Sequence, residues 1–280
     1  MKTLITGGTG LVGRYLKELL PAEETFILSR QDVDIANFYD VRRLFNRIQP
    51  DIVFHLAAFT DVDRCECEPV NAFRTNVTGT FNVAFFAEEF SARIIYLSTD
   101  FVFDGKKNSP YNELDITCPL SVYGKTKLEG ERIIRDNCGN YSIVRTSRIF
   151  GKYGHNFASQ LPRKLLQGHK VKITTDLINS PTYARDLAVA LVQIATSKFC
   201  GLIHFCNDGY CSWYDFGFYI CKQLGLDTSL LIPVSINDFA DSIAKRPSFS
   251  TLDTSLFGRK FYKPRPWHQA LEEFLNQEIS

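Results

Sequence analysis

Apolar and polar positions form a repeating pattern along the first half of the chain. Short, almost continuous apolar runs predict strands over 2–6, 25–29, 51–57, 93–98 and 142–146. Between them, apolar residues at helical spacing predict helices over 11–20, 41–48, 71–90 and 123–135. Unbroken apolar strands that alternate with helices are typical of a parallel sheet covered on both faces. The pattern therefore predicts an α/β fold with a doubly wound, Rossmann-like parallel sheet.

The second half of the chain departs from this rhythm. Helices are expected near 156–167, 185–195 and 213–224, without an obvious strand before each one. We therefore assign residues 1–150 to a dinucleotide-binding domain and residues 151–280 mainly to a smaller C-terminal substrate-binding domain. The segment at about 181–205 is expected to return to the main sheet.

Composition narrows the class of protein without identifying it. The 280 residues are 45% hydrophobic and 22% charged, with a net charge of +1, which is ordinary for a globular protein and does not indicate nucleic-acid binding. No apolar run approaches the roughly 20 residues that span a bilayer, and the start of the chain does not resemble a signal peptide. The eight cysteines contain no Cys-x-x-Cys pair, so reduced thiols in a cytoplasmic protein without a bound metal are expected.

A glycine-rich loop follows the first predicted strand. It satisfies both Gly-x-Gly-x-x-Gly and Gly-x-x-Gly-x-x-Gly, and its residues are Gly7, Gly8, Thr9, Gly10, Leu11, Val12 and Gly13. Between a strand and a helix, such a loop lets a pyrophosphate approach the backbone N–H groups at the helix N-terminus. The loop therefore predicts a dinucleotide cofactor.

The end of the second strand bears on which cofactor is bound. An arginine at this place suits the 2′-phosphate of NADP, and Arg30 follows the strand. Asp32 and Asp34 argue the other way, because an acidic residue there binds the free 2′-hydroxyl of NAD. The sequence favours NADPH and leaves NADH open.

The candidate proton donor is Tyr123. It forms a Tyr-x-x-x-Lys motif with Lys127, and this spacing places both side chains on one face of a helix. An ammonium nearby is expected to favour the tyrosinate and to bind the nicotinamide ribose. Tyr123 could then donate a proton to a carbonyl oxygen. Thr99, with Ser98 as the alternative, ends the fourth strand and could hydrogen-bond the same oxygen.

At this point the chain resembles the extended short-chain dehydrogenase/reductases and, within them, the dTDP-4-dehydrorhamnose reductases. The resemblance covers nearly the whole chain. Its most specific motifs run from Ser98 to Gly105 and from Pro119 to Glu131, with further similarity at 6–13, 50–63, 180–188, 246–247 and 252–255.

The resemblance implies a role for each matching residue. In the cofactor cleft it implies binding by Gly7, Gly10, Leu11, Val12, Gly13, Asp34, Ile35, Ala57, Ala58 and Thr60. It implies that Tyr123 is the acid, that Lys127 holds the ribose, and that Thr99 and Asp100 meet the substrate. The implied reaction is reduction of the C4 ketone of a dTDP-activated 6-deoxyhexose.

One position departs from the family pattern. Members usually carry tryptophan after Arg-Thr-Ser at the substrate pocket, whereas this chain has Arg148. A guanidinium in place of an aromatic wall would exchange stacking for charge recognition, unless Arg148 points elsewhere. We therefore include Arg148 among the candidate substrate-binding residues.

Two other functions compete with a reductase. An epimerase or dehydratase of the same superfamily would recycle its bound NAD, and relatives of this family serve as a non-catalytic, NADP-binding regulatory subunit of methionine adenosyltransferase. The complete set of Thr99, Tyr123 and Lys127 argues for catalysis. A nucleotide-sugar substrate is the expected partner, with no nucleic acid or membrane, and a homodimer is left open.

Overall fold

The computed structural model describes residues 1–239 and 243–279, in which strands and helices alternate from the N-terminus. The strands are β1 (Thr3–Thr6), β2 (Thr25–Leu28), β3 (Ile52–His55), β4 (Arg93–Thr99), β5 (Tyr141–Thr146), β6 (Ile149–Phe150), β7 (Val171–Thr174), β8 (Ile178–Asn179), β9 (Thr182–Tyr183), β10 (Gly201–His204), β11 (Cys211–Ser212) and β12 (Leu231–Val234). The α-helices are α1 (Leu11–Leu19), α2 (Phe38–Ile48), α3 (Val62–Cys67), α4 (Pro69–Phe73), α5 (Gly79–Glu89), α6 (Val122–Asn137), α7 (Phe157–Leu166), α8 (Ala184–Thr196), α9 (Trp213–Leu224), α10 (Ser255–Lys260) and α11 (Trp267–Phe274).

The main sheet contains six strands in the order β10-β5-β4-β3-β1-β2, and every neighbouring pair is parallel. From β1 the chain moves outward to β2 and then returns to β3 on the other side of β1. Such a reversal opens a crevice at the carboxyl ends of the strands, where ligands bind in open α/β sheets. The predicted doubly wound parallel sheet is confirmed.

Two helical layers bury the faces of this sheet. On one face α1 contributes Tyr15 and Leu16 to a core that also takes in α8, α9 and α11. On the other face Phe45 of α2 and Phe86 of α5 pack with residues of α6. All residues of β1 and β3 are buried, which explains why apolar residues do not alternate with exposed polar ones in these strands. Their polar residues Thr6 and His55 are buried too and form a hydrogen bond with each other at 2.7 Å.

The second half of the chain adds three short strand pairs beside the carboxyl ends of the sheet. β12 pairs with β7 and β6 with β9 in parallel, whereas β11 pairs with β8 in antiparallel fashion. Gly201–His204, within the segment expected to return, forms the edge strand β10 next to β5. Among the described residues, no helix has the length and apolar character that crossing a bilayer requires.

The predicted helix over 71–90 is not one continuous α-helix. A π-helical segment, Arg74–Thr78, separates α4 from α5. The interruption turns Asn76 inward, where its amide makes hydrogen bonds outside its own helix. π-segments of this kind are frequent at functional sites, and this one lies beside the cleft. The short helix α3 was not predicted; it is capped by Asp61, which accepts from the Arg64 N–H.

Candidate active site

A cleft of about 660 Å³ lies at the carboxyl ends of β1, β3, β4 and β5. Apart from Asp32, it brings together the residues that the sequence proposed for cofactor, substrate or catalysis. These residues are Gly7, Gly10, Leu11, Val12, Gly13, Arg30, Asp34, Ile35, Ala57, Ala58, Thr60, Thr99, Asp100, Tyr123, Lys127 and Arg148. Their roles remain predictions, but their common location agrees with a single site.

The glycine loop is packed too closely for side chains at two of its positions. Gly7 has a φ of +68°, and a Cβ there would lie 2.7 Å from the Ala57 backbone nitrogen. A Cβ on Gly13 would lie 2.5 Å from Gly8 Cα, so the last glycine lets α1 approach the loop. The loop thus turns sharply between β1 and α1 and leaves its backbone along the cleft.

The N-terminus of α1 has no side-chain cap. Its N-cap residue is Gly10, and its first turn carries no acidic residue. By contrast, α2 is capped by Asn37 and α6 by Ser121. Uncapped N–H groups and the positive end of the helix dipole at a cleft form an anion-binding site. The backbone therefore fits the pyrophosphate of a dinucleotide.

The far end of the cleft, beyond β2, carries two arginines. Arg30 is exposed at its edge, and Arg74 reaches it from the π-segment and forms an ion pair with Asp34. Asp32 is turned toward Ser29, from which it accepts hydrogen bonds at 2.7 Å (N) and 2.6 Å (Oγ). Of the two acidic residues that favoured NAD, Asp32 is thus held in a turn and Asp34 is paired with Arg74. Arg74 was not nominated from the sequence.

Tyr123 lies at the start of α6, near Thr99 at the end of β4. Its ring packs edge-on against Phe101 with the centroids 5.6 Å apart. Burial raises the pKa of Tyr123 well above its usual value, and a hydrogen bond with Thr99 opposes the rise. The net direction is opposite to the effect expected from a neighbouring ammonium. At neutral pH Tyr123 is therefore a protonated donor, the form that a general acid requires.

Lys127 is buried one helical turn beyond Tyr123. Its Nζ lies 4.0 Å from the centroid of the Tyr96 ring, and the residue as a whole is only 3% exposed. Burial lowers the pKa of Lys127 to about 7, and the charge of Glu131 opposes the shift. The ammonium thus lacks close solvation, and an added hydroxyl acceptor would stabilise its charged form.

A buried ion pair supports the floor of the cleft. Arg145 donates to both carboxylate oxygens of Glu131, at 2.8 Å and 2.6 Å, and Ser98 donates to Glu131 at 2.5 Å. Both candidate hydroxyl groups are thus hydrogen-bonded to a carboxylate, Ser98 to Glu131 and Thr99 to Asp100. Thr99 also forms a hydrogen bond with Tyr123, which keeps it the preferred candidate.

Asp100 is buried, and its carboxylate accepts hydrogen bonds from three hydroxyl groups. Thr99 donates at 3.1 Å, Ser147 at 2.7 Å and Ser250 at 2.6 Å. Burial raises the pKa of Asp100, and these hydrogen bonds oppose the rise. The carboxylate joins β4, the residue after β5 and the C-terminal part of the chain next to Tyr123. Its contact with a substrate stays a prediction.

Asn76 supports the cleft from behind its neighbours Arg74 and Thr75, and the sequence did not indicate it. Its side chain accepts from Phe59 N at 2.6 Å and donates to Phe59 O at 3.1 Å and to Thr126 Oγ1 at 2.9 Å. It thereby connects the loop after β3 to the helix of Tyr123. In the sequence, Asn76 is noticeable only as a polar residue inside a predicted helix that is largely apolar. Its hydrogen-bond partners are 17 and 50 residues away, so the sequence does not reveal its role.

Arg148 lies at the wall of the cleft just beyond β5. Its guanidinium carbon is 4.2 Å from the centroid of the ring of Trp213, which lies at the start of α9.

Among residues 1–239 and 243–279 no cluster of three or more His, Cys, Asp or Glu side chains could hold a metal ion.

Comparison with known proteins gives consistent matches over the whole chain. The sequence model of the RmlD substrate binding domain family matches residues 1–279. The spore coat polysaccharide biosynthesis protein SpsK of Bacillus subtilis is 35% identical, covering 100% of this chain and 98% of the relative. A dTDP-4-dehydrorhamnose reductase of Aggregatibacter actinomycetemcomitans is 35% identical, with 97% of each chain covered. The crystal structure of dTDP-4-dehydrorhamnose reductase from Bacillus anthracis in complex with NADP superimposes with a TM-score of 0.94 at 33% identity, covering 99% of this chain and 100% of that one.

Proposed function

The chain belongs to the dTDP-4-dehydrorhamnose reductase family, and from this we propose that it is an NADPH-dependent reductase of a nucleotide-activated 6-deoxysugar. The substrate is dTDP-4-dehydro-L-rhamnose and the product dTDP-L-rhamnose. NADH is a second, weaker reductant. The observation that carries the proposal is the placement of Tyr123, Thr99 and Lys127 in one cleft with an uncapped helix N-terminus.

Each part of the cleft has a defined task in this proposal. The N–H groups at the start of α1 bind the pyrophosphate, and the Lys127 ammonium donates to the nicotinamide ribose. Arg30 and Arg74 bind the 2′-phosphate. Residues 151–280 contribute mainly to the substrate side. When bound, NADPH supplies the hydride for the carbonyl carbon.

The protein supplies the proton and orients the ketone. Thr99 hydrogen-bonds the carbonyl oxygen and fixes it within reach of Tyr123. Tyr123 transfers its proton to this oxygen as negative charge develops there. The raised pKa of Tyr123 keeps the proton on the phenol until the oxygen becomes basic. The nearby Lys127 ammonium then stabilises the tyrosinate that remains.

The direct test is NADPH consumption by the purified protein with dTDP-4-dehydro-L-rhamnose. The proposal expects stoichiometric oxidation of NADPH and formation of dTDP-L-rhamnose. An epimerase would interconvert sugars without net consumption of NADPH, and a regulatory subunit would bind NADPH without turnover. Either of these results would reject the proposed function.

A further inference from the structure

Arg148 adopts a backbone conformation that non-glycine residues rarely adopt. Its φ is +37°, in the left-handed region, directly after the Ser147 that hydrogen-bonds Asp100. Unfavourable backbone conformations that persist in a fold are concentrated at functional sites. Arg148 lines the same cleft as Tyr123 and Thr99.

The start of α9 holds the guanidinium of Arg148 in one orientation. Nη1 donates to Ser212 O at 3.1 Å and Nη2 to Cys211 O at 3.4 Å, while the guanidinium lies over the Trp213 ring. A guanidinium that is both stacked and hydrogen-bonded loses little further side-chain entropy when it binds a ligand. The aromatic surface of this wall is therefore present, but it lies behind the arginine.

No carboxylate in the described part of the chain forms an ion pair with Arg148, although the charges of Asp100 and Asp215 act on it from farther away. Its acceptors there are the two carbonyl oxygens and the Cys211 sulfur, and its buried Nε has no hydrogen-bond partner. Arg145, three residues earlier, is by contrast fully paired with Glu131. Burial lowers the pKa of Arg148 only to about 10, so the group is charged at neutral pH.

Arg93 has a similar buried nitrogen but lies away from the cleft. Arg93 also has a buried Nε without a partner among the described residues, but it begins β4 at the edge of the sheet opposite the cleft. Its other nitrogens donate to Asn140, Ser142 and the carbonyls of Ile194 and Phe199. Arg148 instead combines a buried N–H that has no partner among the described residues with a position that lines the cleft.

We propose that Arg148 is a specificity-determining residue whose Nε–H donates to a negatively charged or strongly accepting oxygen of the nucleotide sugar. The inference rests on the proposed function and adds the chemistry by which this chain selects its substrate. The oxygen belongs either to the diphosphate or to the sugar ring. Both sources offer the acceptor that a buried guanidinium requires.

Binding measurements on two variants separate recognition from a structural role. Arg148→Lys retains the charge without the fork, and Arg148→Gln removes the charge; Arg259→Gln, at an exposed arginine outside the cleft, is the control. We expect calorimetry to show dTDP-L-rhamnose binding weakened by about 10- to 100-fold in both Arg148 variants. NADPH affinity and the Arg259 variant should stay within about twofold of wild type.

The ligand series identifies the acceptor. If dTDP alone loses as much affinity as dTDP-L-rhamnose, the acceptor is a phosphate oxygen; if dTDP loses none, it is an oxygen of the sugar. Equal binding of dTDP-L-rhamnose by wild type and Arg148→Gln would overturn the inference. A parallel loss of NADPH affinity would also overturn it, because it would show that Arg148 merely supports the fold.

A measurement on the wild-type protein does not depend on whether the variants fold. In isotopically labelled protein, the Nε–H resonance of Arg148 should shift downfield when dTDP-L-rhamnose is added, as expected for a new charge-assisted hydrogen bond. No shift under saturating ligand would overturn the inference. If the wild type neither binds nor turns over dTDP sugars, the proposed function fails instead, and a change confined to the Arg148 variants cannot be confused with that result.

Discussion

The side-chain amide of Asn76 donates to Thr126 Oγ1 at 2.9 Å, and that hydroxyl in turn donates to the backbone carbonyl of Tyr123 at 2.8 Å. Asn76 belongs to the π-segment, whereas Thr126 precedes Lys127 on α6. The two hydrogen bonds thus connect the helical segment before β4 to the start of α6, which carries Tyr123 and, one turn later, Lys127. The position of the proposed catalytic pair therefore depends on a residue to which the proposed mechanism gives no chemical role.

Replacement of Asn76 should therefore affect stability and catalysis together. Asn76→Ala leaves the backbone groups of Phe59 and the Thr126 hydroxyl without their partner in a buried place, which costs about 1–3 kcal/mol for an unsatisfied buried group. We expect a lower Tm in thermal unfolding and a reduced kcat at temperatures where the variant is folded. Asn71→Ala, at an exposed position of α4, is the control. A variant with wild-type Tm and kcat would show that this connection is dispensable.

Cofactor preference should depend on the two arginines beyond β2. Removal of one charge-assisted contact to the 2′-phosphate in Arg30→Ala or Arg74→Ala should weaken NADPH binding by about tenfold. NADH, which lacks that phosphate, should bind almost unchanged. The measurement is fluorescence titration with each cofactor. Arg43→Ala, an exposed arginine of α2, serves as the control; equal losses for NADPH and NADH would contradict the assignment.

The affinity for NADPH should fall as the pH rises above neutrality. Lys127 has a pKa lowered from 10.5 to about 7, so its ammonium loses its proton as the pH passes through that value. If the charged form binds the ribose, Kd should rise above about pH 7, by at most about tenfold per pH unit. Titrations at a series of pH values measure this, and Lys127→Met should bind weakly with little dependence on pH. A wild-type Kd that stays constant across this range would exclude the proposed role.

The parts of the site that lie close together in sequence could be predicted. The glycine loop is a local pattern that indicates a phosphate-binding turn when it lies between a strand and a helix. The spacing of Tyr123 and Lys127 is also local, because residues four apart share one face of a helix. Thr99 could be placed because the end of a parallel strand always lies at the same edge of the sheet. These local rules were enough to predict the sheet and its cleft.

The remaining features depend on contacts between distant segments. Asp34 pairs with Arg74, 40 residues away, and Asp100 accepts from Ser250, 150 residues away. Neither pairing has a sequence signal, because each is decided by how the π-segment and the C-terminal part pack on the sheet. The same holds for the pKa of Tyr123. Burial raises it and a hydrogen bond with Thr99 opposes the rise, whereas the motif suggested that the ammonium of Lys127 would lower it.

The most direct test of the central claim is the rate of NADPH oxidation with dTDP-4-dehydro-L-rhamnose, compared between wild type and Tyr123→Phe. Loss of the hydroxyl removes the proton donor and leaves the ring, so kcat should fall by about 100-fold or more while the Kd for NADPH changes little. Full turnover by Tyr123→Phe would show that Tyr123 is not the acid and would contradict the mechanism proposed for this cleft.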